Sequence, residues 1–302
     1  MATAPATRDR CPVCDVADLR DCPFETTHLR APAGRVVRAC RACTHRFLHP
    51  PYSRDEVAQQ YTADYYHHFE SGAGMAGDRA GQVADHLTAR LAELASQTPG
   101  RRLLDIGCGK GALLAHAAAA GWTVHGVDVS ADAVQFVRDI RRLPATRGEL
   151  DEIDFPAGAF DVVHANHVVE HLRDPCADLR SIRRWLAPSG RLAIEVPNEF
   201  ENLFFALGRR LLPASRMVRA DPSPHVQFFS PRSLRAALER AGFDVARLFT
   251  RRWEIGTGSR LPVRALKRGV AQAERLLGRG GNIIAVATPS LAADTAGAGR
   301  SN

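Results

Sequence analysis

The 302-residue sequence predicts an α/β protein: a doubly wound, mainly parallel sheet with helices on both faces, preceded by a small cysteine-bearing module. Three observations carry this expectation. From residue 101 onward, apolar runs of strand length alternate with helical segments, the pattern of parallel strands joined by crossover helices. A glycine-rich turn, Gly107-Cys108-Gly109-Lys110-Gly111, stands directly between a strand and a helix. Two Cys-x-x-Cys pairs, Cys11/Cys14 and Cys40/Cys43, lie near the start of the chain.

Taken in order, residues 1–52 form the module and 53–98 a helical connector or lid, in which Leu87, Leu91 and Leu94 share one apolar face. The sheet domain spans 99–289. Its series runs strand 101–107, helix 112–120, strand 123–129, helix 131–143, short strand 145–150 and strand 160–166. It continues with helix 177–186, strand 191–196, helix 231–241 and strands 243–249 and 282–289. Two insertions interrupt the rhythm. Residues 199–230, rich in Phe and Leu, follow the fifth strand, where such sheets open toward a ligand, and predict an acceptor lid. Residues 254–281 alternate Leu and Val with Arg and Lys, which predicts a basic amphipathic helix packed on the domain with a solvated face, the alternative being a membrane surface or a partner. The small, polar tail 290–302 is expected to be disordered.

Four thiolates presented from two tight turns are the pattern of a closed, tetrahedral structural zinc site, so Cys11, Cys14, Cys40 and Cys43 are the expected metal ligands. Cys22, His28 and His45 are spare ligands. A closed site leaves no position for water, so the metal stabilises rather than catalyses. Cys108 reads as a small filler within the glycine turn, and Cys176 as the start of a helix.

Glycines after a strand let the backbone approach a ligand at a helix N-terminus. Gly107, Gly109 and Ala112 also satisfy the pattern of nicotinamide and flavin binders. Asp105 decides between the readings: a carboxylate at the strand tip repels a pyrophosphate and attracts an ammonium group. Asp128, at the end of the next strand, is placed to accept both hydroxyls of a ribose.

With LLDIGCGKG, GVDVS and FDVVHANHVVEHLRDP in place, the chain resembles the class I S-adenosylmethionine-dependent methyltransferases. The WLAPSGRL turn before the fifth strand extends the match. The resemblance implies a seven-stranded Rossmann-like sheet with S-adenosylmethionine as cofactor. It assigns Asp105, Gly107, Cys108, Gly109 and Gly111 to the methionine end and Asp128 with Val129 to the ribose. Glu149 with Leu150 falls at the adenine, while Asn166 and His167 line the cofactor from the fourth strand's tip. The module followed by FLHPPYSRDEVAQQYTADYYHHF is similar to a bacterial group that modifies sugars and other small metabolites.

In that family the protein positions two reactants and excludes water. A hydroxyl acceptor also needs a base, and His225, His171 and His167 are the candidates, with His225 and His171 foremost. His225 opens HVQFFS, directly after the apolar run of the first insertion and before the helix expected at 231. Ala165-Asn166-His167-Val168 stands where amine methyltransferases usually carry an Asn/Asp-Pro-Pro-Tyr/Phe motif, which disfavours that class. The expected acceptor is a small molecule, foremost a hydroxyl of a sugar or secondary metabolite. C-methylation of a nucleotide sugar is the alternative, with Tyr65 and Tyr66 available near the pocket. A further alternative directs the zinc module to RNA, which few aromatics in the ribbon support.

Composition adds exclusions. The net charge is +7, but only Lys110 and Lys267 among the 40 basic residues are lysines, so the balance reflects arginine usage rather than a nucleic-acid surface. Seven cysteines, an odd number, argue against a disulfide framework. No apolar run approaches membrane-spanning length and the opening residues lack a secretion pattern, which together predict a cytoplasmic protein.

Overall fold

The computed structural model describes residues 9–22, 34–60, 88–96, 98–203, 225–251, 272–274 and 276–290. Strands β1 (Leu19–Asp21), β2 (Val36–Cys40) and β3 (Arg46–His49) come first, followed by helix α1 (Arg54–Gln60). The alternating series then runs β4 (Arg102–Ile106), α2 (Ala112–Ala119), β5 (Thr123–Asp128), α3 (Ala131–Asp139), β6 (Ala145–Arg147) and β7 (Phe160–Asn166). After it come α4 (Pro175–Trp185), β8 (Leu186–Pro197), β9 (Gln227–Phe228), α5 (Pro231–Arg240), β10 (Phe243–Arg251) and β11 (Asn282–Pro289).

The seven-stranded sheet has the order β10-β11-β8-β7-β4-β5-β6. Strands β7, β4, β5 and β6 pair in parallel, as do β7 and β8, whereas β11 is antiparallel to both of its neighbours. All seven expected strands are present. The central ones are covered on both faces and read as apolar runs: Leu103, Leu104, Val162, Val163, Leu192 and Ile194 are fully buried. The chain winds from β4 out to β6, then returns to β7 on the other side. Strand order therefore reverses between β4 and β7, and their carboxyl ends open the ligand crevice.

Local chemistry sets the helix ends. Ser130 caps α3 through the Ala133 amide, Asp174 caps α4 through that of Ala177, and Ser230 with Ser233 forms a capping box on α5. Helix α3 stops at Asp139 rather than near 143, because Arg142 takes a left-handed φ of 57° and Pro144 follows shortly after. Strand β8 begins at Leu186, earlier than expected, because Leu186 already pairs with Phe160.

The second sheet, β1-β2-β3-β9, is antiparallel throughout. Its fourth strand comes from the chain between β8 and α5: Arg46 pairs with Phe228 and Phe47 with Gln227. The sheet thus crosses the boundary expected at residue 52. Cys11, Val13, Cys40 and Cys43 belong to one buried cluster with Leu179, Ile182, Trp185, Leu234 and Leu238 of α4 and α5. The expected connector is described at α1 and over residues 88–96, which are helical, with Leu91 and Leu94 buried. Leu87, Tyr65, Tyr66, most of both insertions and nearly all of the 290–302 tail lie outside the described residues.

Candidate functional site

The glycine turn closes β4 and starts α2. Gly107, Gly109 and Gly111 have φ of +69°, +50° and +72°. A Cβ on Gly107 would stand 2.4 Å from Val168 Cγ2 in the segment after β7, so only glycine lets the turn lie against that segment. The amides of Gly107 and Cys108 both donate to the Val127 carbonyl. Cys108 turns its side chain inward beside Gly126, where burial pushes its thiol up, away from thiolate chemistry.

The carboxylates are each held in place. Asp128 is buried, accepting from the Gly109 amide on Oδ2 and the Ser130 amide on Oδ1, both at 2.9 Å, so the turn and this carboxylate form one unit. Val129 beside it is half-buried. Asp105, also buried, has Oδ1 2.8 Å from His164 Nδ1 on the adjacent β7. Glu149 receives a 2.9 Å hydrogen bond from Arg173, and the next residue, Leu150, is buried. Arg54 of α1 reaches across to Asp151 and Glu152 at the same rim.

At the tip of β7, Asn166 is exposed and His167 takes a φ of 54°. The His167 amide donates to the Glu195 carbonyl on β8, and its Nδ1 lies 3.0 Å from Glu170 Oε1. Glu170 is the centre of this face. It is 1% exposed, His225 Nε2 is 3.9 Å from its Oε1, and the rings of His171 and His225 stand edge to face at 4.8 Å. Burial raises the Glu170 carboxyl, but the His167 hydrogen bond and the facing His171, His167 and His225 imidazoles outweigh it and hold the group below its usual value. On its other side, His225 Nδ1 donates to Glu199 Oε1 at 2.8 Å. A carboxylate accepts only, so Nδ1 is the donor in this bond and, whenever the ring is uncharged, Nε2 on the Glu170 side is its basic nitrogen. The structure therefore brings together His167, His171 and His225 from two segments about 55 residues apart in chain, around a carboxylate that residue-type reasoning passed over.

The four cysteines meet in one place. Cys11 Sγ lies 3.5 Å from Cys43 Sγ, Cys14 Sγ lies 3.5 Å from Cys40 Sγ, and all four sulfurs fall within 4.8 Å of one another. A tetrahedron with metal–sulfur bonds near 2.3 Å needs sulfurs about 3.8 Å apart. The set fits zinc. The hydrogen-bonded Cys43 thiol draws Cys11 down to about 6. The spare ligands do not join: His45 Nε2 points to Gln227 Oε1 at 2.8 Å, Cys22 Sγ points to the Arg20 carbonyl, and His28 lies outside the described residues. Burial pushes His45 down to about 4, so its ring is neutral.

Sequence reasoning missed His164, Glu170, Glu199, Arg173 and Gln227. Glu170 had a signal: it sits three residues after His167 and directly before His171, a spacing that one helical turn converts into proximity. Indeed Val169–His171 forms a 3-10 turn.

Comparison with known proteins matches the "Methyltransferase domain" family over residues 75–248. A ubiquinone biosynthesis O-methyltransferase of Caulobacter sp. (strain K31) is 36% identical over 157 residues, covering 48% of this chain and 60% of that protein. The nocamycin O-methyltransferase of Saccharothrix syringae is 35% identical over 117 residues, covering 36% of this chain and 42% of the relative. The chain thus spans less than two thirds of the length of these relatives. Among solved structures, the cyclase SpnF aligns with a TM-score of 0.53 at 22% identity, over 80% of this chain and 98% of its own. The PH0226 protein of Pyrococcus horikoshii OT3 gives 0.51 at 16% identity, over 76% of this chain and 100% of its own. Both share the fold. With a family match over more than half its length and the reversed seven-stranded sheet that such proteins share, this chain belongs to the class I S-adenosylmethionine-dependent methyltransferase family.

Proposed function

We propose that the protein transfers a methyl group from S-adenosylmethionine to a hydroxyl of a small molecule, a sugar or secondary metabolite. The observation that carries this reading is the pairing of His225 with Glu199 beside buried Glu170, against the turn that follows β7. A neutral imidazole whose Nδ1–H is held by a carboxylate presents Nε2 as a base, and the orienting acid stabilises the imidazolium that forms. The cofactor, when bound, supplies a methyl carbon on an electron-poor sulfonium. Asp105 attracts the ammonium end, Asp128 receives the ribose hydroxyls, and Glu149 with Leu150 borders the adenine. The Gly107–Gly111 turn lets the backbone approach.

The O-methyltransferase names of the two relatives favour oxygen as the acceptor atom. In this reading Cys11, Cys14, Cys40 and Cys43 hold one structural zinc ion. No helix among the described residues is long and apolar enough to cross a membrane. The test is a mass-spectrometric screen of phenols, free and nucleotide-linked sugars and polyketide hydroxyls, with S-adenosylmethionine as donor and RNA as a competitor. A mass gain of one methyl on a hydroxyl compound supports the proposal. Methylated RNA alone, or no binding of S-adenosylhomocysteine, overturns it.

A further inference from the structure

We infer that the four-cysteine module positions the histidine face of the active site, with His45 and Gln227 as the positioning pair. The inference rests on the proposed readings of the zinc site and of His225. It starts from the peptide that follows His225. The Leu48 amide of β3 donates to the Val226 carbonyl, and the Val226 amide donates to the Glu170 carbonyl, each at 2.9 Å. One residue further, the Gln227 side chain bridges the same two segments: Oε1 accepts from His45 Nε2 at 2.8 Å and Nε2 donates to the Leu172 carbonyl at 2.9 Å. The residues on both sides of His171, and the residue after His225, are thereby tied to β3.

That strand leaves the metal knuckle directly. Cys40 and Cys43 bound the turn before it, and the Cys40 amide donates to the His45 carbonyl at 2.8 Å. A second tie joins Thr44 Oγ1 to Ser230 Oγ, the cap of α5, at 2.8 Å. His45 and Gln227 are both buried, at 0% and 3% exposure. If stability were their only role, apolar residues of the same shape would serve nearly as well, since replacing both partners of a buried hydrogen bond is often close to neutral. A polar pair is directional, and fixes how β9 and the turn after β7 sit against β3. A metal held by the four cysteines would fix the hairpin, which holds Gln227 through His45, and Gln227 ties the two segments that carry His171 and His225.

The test uses the full chain, zinc-loaded and labelled with nitrogen-15 at histidine. Three quantities are read: zinc content, S-adenosylhomocysteine affinity by calorimetry, and imidazole resonances assigned through single His→Gln variants. In Gln227→Met the expected result is one zinc per chain, a Kd within about twofold of wild type, and His225 and His171 resonances displaced by more than a line width. His125 and His164, within the large sheet, stay in place. His45→Phe and chelation of the wild-type zinc are expected to displace the same two resonances, which keeps the test decisive should Gln227→Met fail to fold. Unmoved His225 and His171 signals in a zinc-bound variant, or after chelation, overturn the inference alone. A wild-type chain without zinc overturns it at the metal. A wild-type chain that binds no S-adenosylhomocysteine overturns the methyltransferase reading instead.

Discussion

His164 Nδ1 lies 2.8 Å from Asp105 Oδ1, so the carboxylate that stands before the glycine turn is oriented by the neighbouring strand. A group that recognises an ammonium must point at it, and an imidazole donor on one oxygen leaves the other to face the crevice. Asp105→Ala is expected to weaken S-adenosylhomocysteine binding roughly 10- to 100-fold, the range for a lost hydrogen bond to a charged group. His164→Leu should weaken it less, by about three- to tenfold. Calorimetry on both variants checks the order, and an Asp105→Ala chain with wild-type affinity would remove Asp105 from the site.

Gly107→Ala combines a left-handed φ of +69° with a Cβ placed 2.4 Å from Val168 Cγ2. The strain is of order 1–3 kcal/mol and falls on the turn itself. The expected outcome is a folded protein with reduced thermal stability and little cofactor binding. Gly34→Ala is the control: it also has a positive φ, but open space around it. It should show a smaller stability loss and unchanged affinity.

His225→Gln should lower kcat by about 10²–10⁴, the contribution of a general base, while S-adenosylhomocysteine affinity stays near wild type. Glu199→Gln keeps the shape but removes the charge beside His225 Nδ1, and about tenfold or more of the rate should go with it. Parallel pH–rate profiles in the two variants would speak against His225 as the base.

Asp178 tests the electrostatics of the fold. Burial, with Asp151 and Asp174 nearby, raises its carboxyl from 3.8 to about 7. The folded state therefore holds a proton that the unfolded chain releases near pH 4. Stability falls as pH rises from about 4 to 7, by up to about 4 kcal/mol at 1.4 kcal/mol per unit. The position of Asp178 in the first turn of α4 favours the anion and makes the slope shallower. Asp178→Asn should be near neutral at pH 4 and stabilising at pH 8, as denaturant unfolding at the two values would measure.

The alternating strands and helices were legible because each is a local pattern: buried apolar runs such as Leu103–Ile106, and glycines at the turn. The proposed cofactor-side residues stand out in the sequence because they follow strand ends. Partners do not. His164 faces Asp105 only through the β4–β7 register, and Glu199 meets His225 across an insertion, relationships that no periodicity encodes. Strand β9 escaped for a related reason: two residues carry no alternation, and their partner lies in a different module. The pairing of Arg46 with Phe228 is a tertiary fact.

That pairing sets a timetable for synthesis. His45 and Gln227 are 182 residues apart in the chain, so at about 5–20 residues per second the ribosome finishes the cysteine knuckle roughly 10–40 s before the strand that completes its sheet. During that interval β3 presents an open edge with Phe47 and Leu48 uncovered, a surface that invites pairing with another chain. Early metal capture would shorten the exposed hairpin's freedom without closing its edge. Slow translation before residue 228 lengthens that exposure, whereas ample zinc orders the hairpin and leaves the edge to be covered by β9.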